Sequence, residues 1–292
     1  MQNFFKRIKK IWNHPSNRDK QLKALGRAGN WQLKHKRSEK PIDVNAFGYK
    51  ILLYPNSLQT KPIVYYTPLK DYDVMQFIQR YLKVGDSFLD IGANIGLYTL
   101  LACSVVSKSG SVDSFEPCPK TFRRLEENVA RNELNQVKLH QTVLGENSSV
   151  IKFTVDFDTS NHVLSSAPPK TEDNYIEVSC QPLDEIINDK DYAMAKLDVE
   201  GYELPVLRGG SKMLSHQNPP VLMLEINEAF KKYGITALEI VNQLQKWGYY
   251  SASYDADSNE LKFTNQVWGD VLFIHEDYQE TVISRLNSYL PS

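Results

Sequence analysis

Two stretches of this chain carry residue types and spacings that can do chemistry. The first is Asp90-Ile91-Gly92-Ala93-Asn94-Ile95-Gly96, followed twenty residues after Gly96 by Glu116 in Ser114-Phe115-Glu116-Pro117. Glycines at a strand-to-helix turn allow positive φ and let a ligand approach the backbone at the positive end of a helix. A carboxylate closing the next strand can accept both hydroxyls of a ribose. A nicotinamide site would want G-x-G-x-x-G, whose middle glycine gives a pyrophosphate room. Here Gly92 and Gly96 are four apart with Asn94 between them, and no GxxxxGK[ST] occurs. The turn keeps the ribose feature and lacks the phosphate ones, which fits S-adenosylmethionine, a nucleoside without phosphate.

The second stretch is Lys196-Leu197-Asp198-Val199-Glu200-Gly201-Tyr202-Glu203. A strand regular through Glu200 would point Lys196, Asp198 and Glu200 to one side. Asp198 and Glu200 can deprotonate a hydroxyl, anchor a sugar or complement a sulfonium, and a like-charged pair raises one pKa as a base near neutrality requires. The bland reading is a set of helix-start acids balancing the dipole, and Glu203 suits it best. Glu225, at the end of Leu222-Met223-Leu224-Glu225, needs a partner if buried, so it is a site residue or the partner of Lys196. His162, in Thr159-Ser160-Asn161-His162-Val163-Leu164, is a candidate base or an ordinary solvated loop histidine. Oxygen ligands from Asp198, Glu200 and Glu225 suit Mg²⁺ or Ca²⁺. No spacing demands a metal and none is assigned.

The elements around these residues alternate. Ser87–Ile91, Ser111–Phe115 and 137–143 read as strands, with helices over 97–106 and 119–132 between them, the pattern of a parallel doubly wound sheet. Residues 193–199, 221–226 and 271–275 are further buried-type strands, and 204–215 and 236–247 read as helices. Residues 150–158 and 175–181 alternate as two strands around a polar loop, Thr159 to Asn174, an excursion of the kind that serves a site or a partner. Upstream, Tyr49–Tyr54 and Ile63–Tyr66 look β-like, and 73–83 helical.

The chain has 292 residues, 41% hydrophobic and 24% charged, ample for a core and inside the globular range. Its net charge of −1 hides an asymmetry. Residues 1–40 hold twelve Lys/Arg against Asp19 and Glu39, or +10, which leaves −11 for the remainder. Phe4, Phe5, Ile8, Ile11 and Trp12 share one face of a helix, with Lys6, Arg7, Lys9 and Lys10 around the rest, and His14-Pro15 ends it. Such a helix lies in an anionic membrane interface or docks on the protein's own body or a dimer mate. No apolar run approaches the roughly 18 residues a bilayer span needs, and no secretory h-region is present. Cys103, Cys118 and Cys180 form no CxxC or Cys/His cluster, so a reducing, cytoplasmic compartment without structural zinc is expected.

The segments FLDIGANIGLYTLL (88–101), FEPCPKTFRRLEENVARNEL (115–134), LDEII (183–187) and KLDVEGYELPVLRGG (196–210) resemble the FkbM-type methyltransferases. The DVEGYE segment is the most specific of them, and the likeness runs from about Val84 to His275. The resemblance implies a Rossmann-like class I α/β fold, a seven-stranded mostly parallel sheet in the order 3-2-1-4-5-7-6. It also implies O-methylation with S-adenosylmethionine, often on sugars of glycolipids and polysaccharides or on polyketide products. Asp90, Gly92, Asn94, Gly96, Glu116 and Pro117 then belong to the cofactor site. Asp198, Glu200, Lys196, His162 and Glu225 are the candidates for catalysis. The expected organisation is a basic helical leader (1–45), a β/α cap (46–84) and a methyltransferase domain (85–292). The expected acceptor is a hydroxyl of a glycan or glycolipid, with a small-molecule natural product or a catalytically inactive cofactor-binding homologue as alternatives. The acidic body and the lack of an aromatic–basic module speak against nucleic acid. Lys70-Asp71-Tyr72-Asp73 stands where many members carry an aromatic–glutamate pair, and the +10 leader is outside the resemblance.

Overall fold

A computed structural model describes residues 2–35, 40–155, 160–164, 174–187 and 190–289. The strands, in chain order, are β1 (Ile42–Ala46), β2 (Tyr49–Leu53), β3 (Ser87–Ile91), β4 (Ser111–Phe115), β5 (Val137–His140), β6 (Val143–Leu144), β7 (Ser149–Thr154), β8 (Tyr175–Gln181), β9 (Met194–Leu197), β10 (Val221–Ile226), β11 (Tyr249–Asp255), β12 (Glu260–Phe263) and β13 (Gly269–His275). The main sheet runs β12-β11-β13-β10-β9-β3-β4-β5. Strands β3, β4, β5, β9 and β10 are parallel, and β13 is antiparallel to both its neighbours. Read from β5 to β11, this is the class I methyltransferase order 3-2-1-4-5-7-6.

The sheet has eight strands rather than the expected seven. The extra edge strand β12 returns from β11 through a turn in which the Asp255 carboxylate accepts the N–H groups of Asp257 and Ser258 (2.8 and 3.0 Å) and Asn259 takes φ 55°. Glu260-Leu261-Lys262-Phe263 is short, charged and largely exposed, as edge strands are, so it lacks the apolar run that betrays a buried one.

The chain order reverses at β3, which has β4 on one side and β9 on the other. Ligands in open α/β sheets bind at the carboxyl ends of strands flanking such a switch point. Helices Leu97–Val106 and Pro119–Arg131 form the crossovers next to it. A second sheet, β6-β8-β7, stands beside this end with its own apolar cluster of Cys118, Val143, Phe153, Val163 and Cys180. The polar loop between β7 and β8 lies outside the described residues at 156–159 and 165–173.

The N-terminal part begins with helices Gln2–Asn13 and Gln21–Asn30 and the β1–β2 hairpin. Ile11, Trp31, Ile51 and Phe77 share one apolar cluster with Phe88 and Leu100 of the sheet layer. The buried Asn128 amide ties β2 to the Gly92–Gly96 turn, accepting from Leu52 N (2.7 Å) and donating to Ile95 O (2.9 Å). Ile63–Tyr66, expected as strand, is the end of a helix over Thr60–Tyr66. Its β-branched and aromatic residues favour a strand locally, but Pro62 sits in the first turn, where its missing N–H costs nothing. Burial of Ile63, Val64 and Tyr65 then decides the outcome. The helix expected over 204–215 is two, Glu203–Gly209 and Ser211–Ser215. A side chain at Gly209 would come within 2.0 Å of the Gly145 carbonyl, so the backbones approach there as only glycine allows.

Candidate active site

The carboxyl ends of β3, β4, β9 and β10 line one cavity of about 950 Å³, open mouth included. On the β3 side, Gly92 takes φ 79°, and a Cβ there would lie 1.9 Å from the Asp198 carbonyl. The two strand-end loops are therefore packed backbone against backbone. The N–H groups of Gly92 and Ala93 donate to the Phe115 carbonyl (3.0 and 2.9 Å), which fixes the turn beside β4. Glu116 accepts from Asn94 N at one oxygen (3.0 Å) and from Cys118 N at the other (2.9 Å). Burial pushes its pKa up to about 7, with those two N–H groups holding it lower than burial alone would. Each oxygen keeps a lone pair, so the carboxylate is oriented and still able to accept two hydroxyls.

Gly92, Asn94, Glu116 and Pro117 line the cavity; Asp90 and Gly96 do not. Asp90 is fully buried behind the turn, accepting from Thr99 Oγ1 (2.6 Å), with Lys196 Nζ 3.9 Å from its other oxygen. Gly96, at φ 91°, starts the helix Leu97–Val106. These two residues shape the turn rather than touch its contents.

Asp198, Glu200 and Glu225 also line the cavity, and an oxygen from each lies within 4.8 Å of the others. They meet for a different reason than strand alternation. Strand β9 stops at Leu197, Asp198 N donates to the Ile91 carbonyl (3.0 Å), and Glu200 and Gly201 both turn left-handed at φ 56° and 98°. A Cβ on Gly201 would strike the backbone of Ala229, 2.4 Å away. Glu203 is not a mere dipole partner. It is buried, and Oε1 accepts from the N–H groups of Val199 (3.2 Å) and Gly201 (3.1 Å), clasping the turn that carries Asp198 and Glu200.

Lys196 lies beneath these carboxylates, outside the cavity lining. The parallel register sets it beside Asp90, and Nζ stands 3.2 Å from Asp198 Oδ2 and 3.3 Å from the Gly92 carbonyl. Burial works against the charge on both partners. Burial is the strongest single influence on each, yet the charges around them together prevail: Asp198 and Asp90 hold Lys196 above its ordinary value, and Lys196 with Lys70 holds Asp198 below. Glu225 pairs with Asp198 and Asn227 instead of Lys196. Burial and the neighbouring charges of Asp198 and Glu200 push it up to about 8, and burial with Asp198 pushes Glu200 up to about 7. The cluster thus holds one firm anion, Asp198, and two carboxyls that titrate near neutrality.

His162 does not join them. Its ring Nδ1 is 2.9 Å from the Ser160 carbonyl, while Asn161 and Val163 on either side line the cavity. Alternation along this short bridge to Phe153 turns the histidine away. Two lining residues come from a region with no motif, Gln59 and Lys70. Lys70 pairs with Asp71 (2.5 Å), which accepts from Tyr98 OH (2.8 Å). The departure at Lys70-Asp71 marks a place where the N-terminal part closes the site, and only the fold brings it there.

A model of the methyltransferase FkbM domain matches residues 90–250, more than half of the chain and both strand-end loops. The chain belongs to the FkbM methyltransferase family. Within the family's reach, it is similar to Methyltransferase 1 of Beauveria bassiana, 29% identical over 162 residues, covering 48% of this chain and 62% of that one. It is also similar to hexuronic acid methyltransferase AglP of Haloferax volcanii, 26% identical over 169 residues, covering 57% and 66%. This FkbM chain therefore spans just under two thirds of these relatives' lengths. Among solved structures, an FkbM methyltransferase from Methylobacillus flagellatus aligns over 66% of this chain and 44% of its own, at 20% identity and a TM-score of 0.46.

Proposed function

We propose that this chain methylates a hydroxyl oxygen of a sugar, on a glycan or glycolipid, with S-adenosylmethionine as donor. The observation that carries the reading is that one cavity is lined both by Glu116, oriented with free lone pairs, and by the Asp198–Glu200–Glu225 cluster. Glu116 suits the two ribose hydroxyls, and the turn that Gly92 begins supplies the Asn94 N–H that orients it. Bound S-adenosylmethionine supplies an electrophilic methyl group. The chain's own part is to orient the acceptor and receive its proton.

Glu200, whose carboxyl is pushed up to about 7, is the candidate base for the reacting hydroxyl, and Asp198, kept ionised by Lys196 and Lys70, orients the acceptor. Glu225, pushed up to about 8 and so mostly protonated at neutral pH, can donate to one sugar oxygen while Asp198 accepts from another. Lys70 offers a cation to an acidic sugar, and the relative named for hexuronic acid supports a sugar acceptor. Positioning supplies most of the rate in such a transfer. The test is an acceptor screen with radiolabelled S-adenosylmethionine across neutral sugars, uronic acids, glycolipids and polyketide alcohols. Label entering sugar hydroxyls is the expected result. Label entering only polyketide alcohols, or none despite tight cofactor binding, overturns the proposal.

A further inference from the structure

We propose that helix Gln2–Asn13 docks this protein on an anionic lipid surface. The sequence places one apolar stripe on this helix, and the fold splits it. Ile11 is 2% exposed, packed into the core, whereas Trp12 is 43% and Phe5 64% exposed. Phe5 and Trp12 are seven residues apart, two turns, so they lie along one line of the helix surface. The side chain of Phe4 lies outside the described residues. Lys6, Lys9 and Lys10 flank that line on the solvent side, and among the described residues no ion pair involves them or Arg7. The helix packed against it, Gln21–Asn30, exposes Leu22 (78%) next to Lys23.

Exposed aromatics rimmed by lysines match a bilayer interface, where rings enter the acyl boundary and cations meet the headgroups. Charge chooses the occupant and the orientation. Residues 1–40 carry +10 and the rest −11, so an anionic surface attracts this end and repels the body. The helix is also held, as a docking element must be. Asn17, fully buried, donates to the carbonyls of Ile11 (2.9 Å) and Tyr65 (3.0 Å). Arg18 forms a fork to Asp257, and Arg27 donates to the Val64 carbonyl (3.1 Å). The anchor touches the site's frame as well: the His14 ring bonds the Lys70 carbonyl (3.1 Å) and Ser16 Oγ bonds that of Leu69. A surface-held helix would thus keep the Lys70 side of the cavity close to the headgroups. Membrane docking stands or falls independently of the methyl-transfer reading.

The experiment is vesicle sedimentation of the full chain. It uses pure phosphatidylcholine vesicles and mixed phosphatidylglycerol–phosphatidylcholine vesicles, at low and high salt. Binding to the mixed vesicles at low salt, reversed by salt and absent from the neutral ones, is expected. Replacing Lys6, Lys9 and Lys10 together by Gln should weaken it by about a hundredfold, and Trp12→Ser by about tenfold. Both variants alter exposed side chains, and thermal melts check that they fold. The salt titration of the unaltered protein tests the idea even if they do not. No binding to mixed vesicles at low salt overturns the proposal, as does equal binding to both kinds or unchanged binding by the lysine variant. So does a concentration-dependent dimer in light scattering that Trp12→Ser abolishes, because the stripe then belongs to a second copy.

Discussion

Replacing Glu116 by Gln tests the cofactor end of the cavity in a way that separates it from the carboxylates across it. The native carboxylate holds two N–H groups and keeps a lone pair on each oxygen, which we assign to the two ribose hydroxyls. A glutamine amide presents a donor where one of those N–H groups now points. It therefore loses a charge-assisted hydrogen bond to the ligand and leaves a backbone donor unsatisfied. At roughly 1.5–3 kcal/mol per charge-assisted bond, cofactor affinity should fall between about tenfold and a hundredfold. The pH dependence is more diagnostic than the size. With its carboxyl pushed up to about 7 by burial, Glu116 must lose a proton before it can receive both hydroxyls. Affinity should rise with pH and level off above about 8. At about pH 6 roughly one molecule in eleven is ionised, against ten in eleven at about pH 8, a tenfold difference. The ligand for this measurement is S-adenosylhomocysteine, which has no sulfonium charge and so leaves Glu200 and Glu225 out of the comparison. Calorimetry should show the slope in the native chain and its loss in Glu116→Gln. Native affinity in the variant, or the same slope in both, refutes the assignment.

Other outcomes follow from the same geometry. Asp198→Asn and Glu200→Gln should each lower kcat by about a hundredfold or more while cofactor affinity stays within a few fold, measured by steady-state kinetics beside calorimetry. Glu203→Gln keeps an acceptor for Val199 and Gly201 and should stay close to native activity. Glu203→Ala releases that turn and should cut kcat with little effect on cofactor binding. Gly92→Ala forces a Cβ against the Asp198 carbonyl at φ 79°, and the lost Tm should come with lost cofactor binding. In the ligand-free protein, Glu116 and Glu203 are both pushed up to about 7 from an ordinary 4.5. Folding therefore takes up protons between these values, and Tm should fall as pH rises from about 5 to about 8. A flat or rising melt across that window contradicts the burial of these two carboxyls.

The parallel sheet was legible because its strands are buried on both faces and read as short apolar runs, such as Phe88-Leu89 and Leu222-Met223-Leu224. The edge strand β12 was not, since a solvated edge needs no apolar residues. The Ile63–Tyr66 misreading has a related cause, in that local β-propensity was overridden by burial against the core. Within the site, Gly92, Asn94, Glu116, Asp198, Glu200 and Glu225 were readable from turn chemistry and strand ends and Pro117 from the family resemblance, and all line the cavity. The reasons differed in places: Glu200 arrives through a left-handed turn, and Asp90, Gly96 and Lys196 support the walls from behind. Lys70 and Gln59 carry no signal of spacing at all. The Lys70-Asp71 departure from the family pattern was the one hint, and its meaning required the fold.

Strand β13 follows every other strand of the main sheet in sequence, yet it lies between β10 and β11, both made earlier. Until β13 is in place, the β10 edge of Val221-Leu222-Met223-Leu224 that it covers has no strand partner, and the β11–β12 hairpin has no strand to join it to the sheet. That exposed apolar edge is where a growing chain would stick to its neighbours on a crowded ribosome. Truncation before Gly269 would leave that gap open. It also removes helix Gln279–Asn287, whose Arg285 ties back to Asp86 (2.6 Å) at the entry to β3. The sheet thus reaches its final shape only when its last strand is added, and the Gly92–Gly96 turn, although made early, rests on a scaffold that β13 closes.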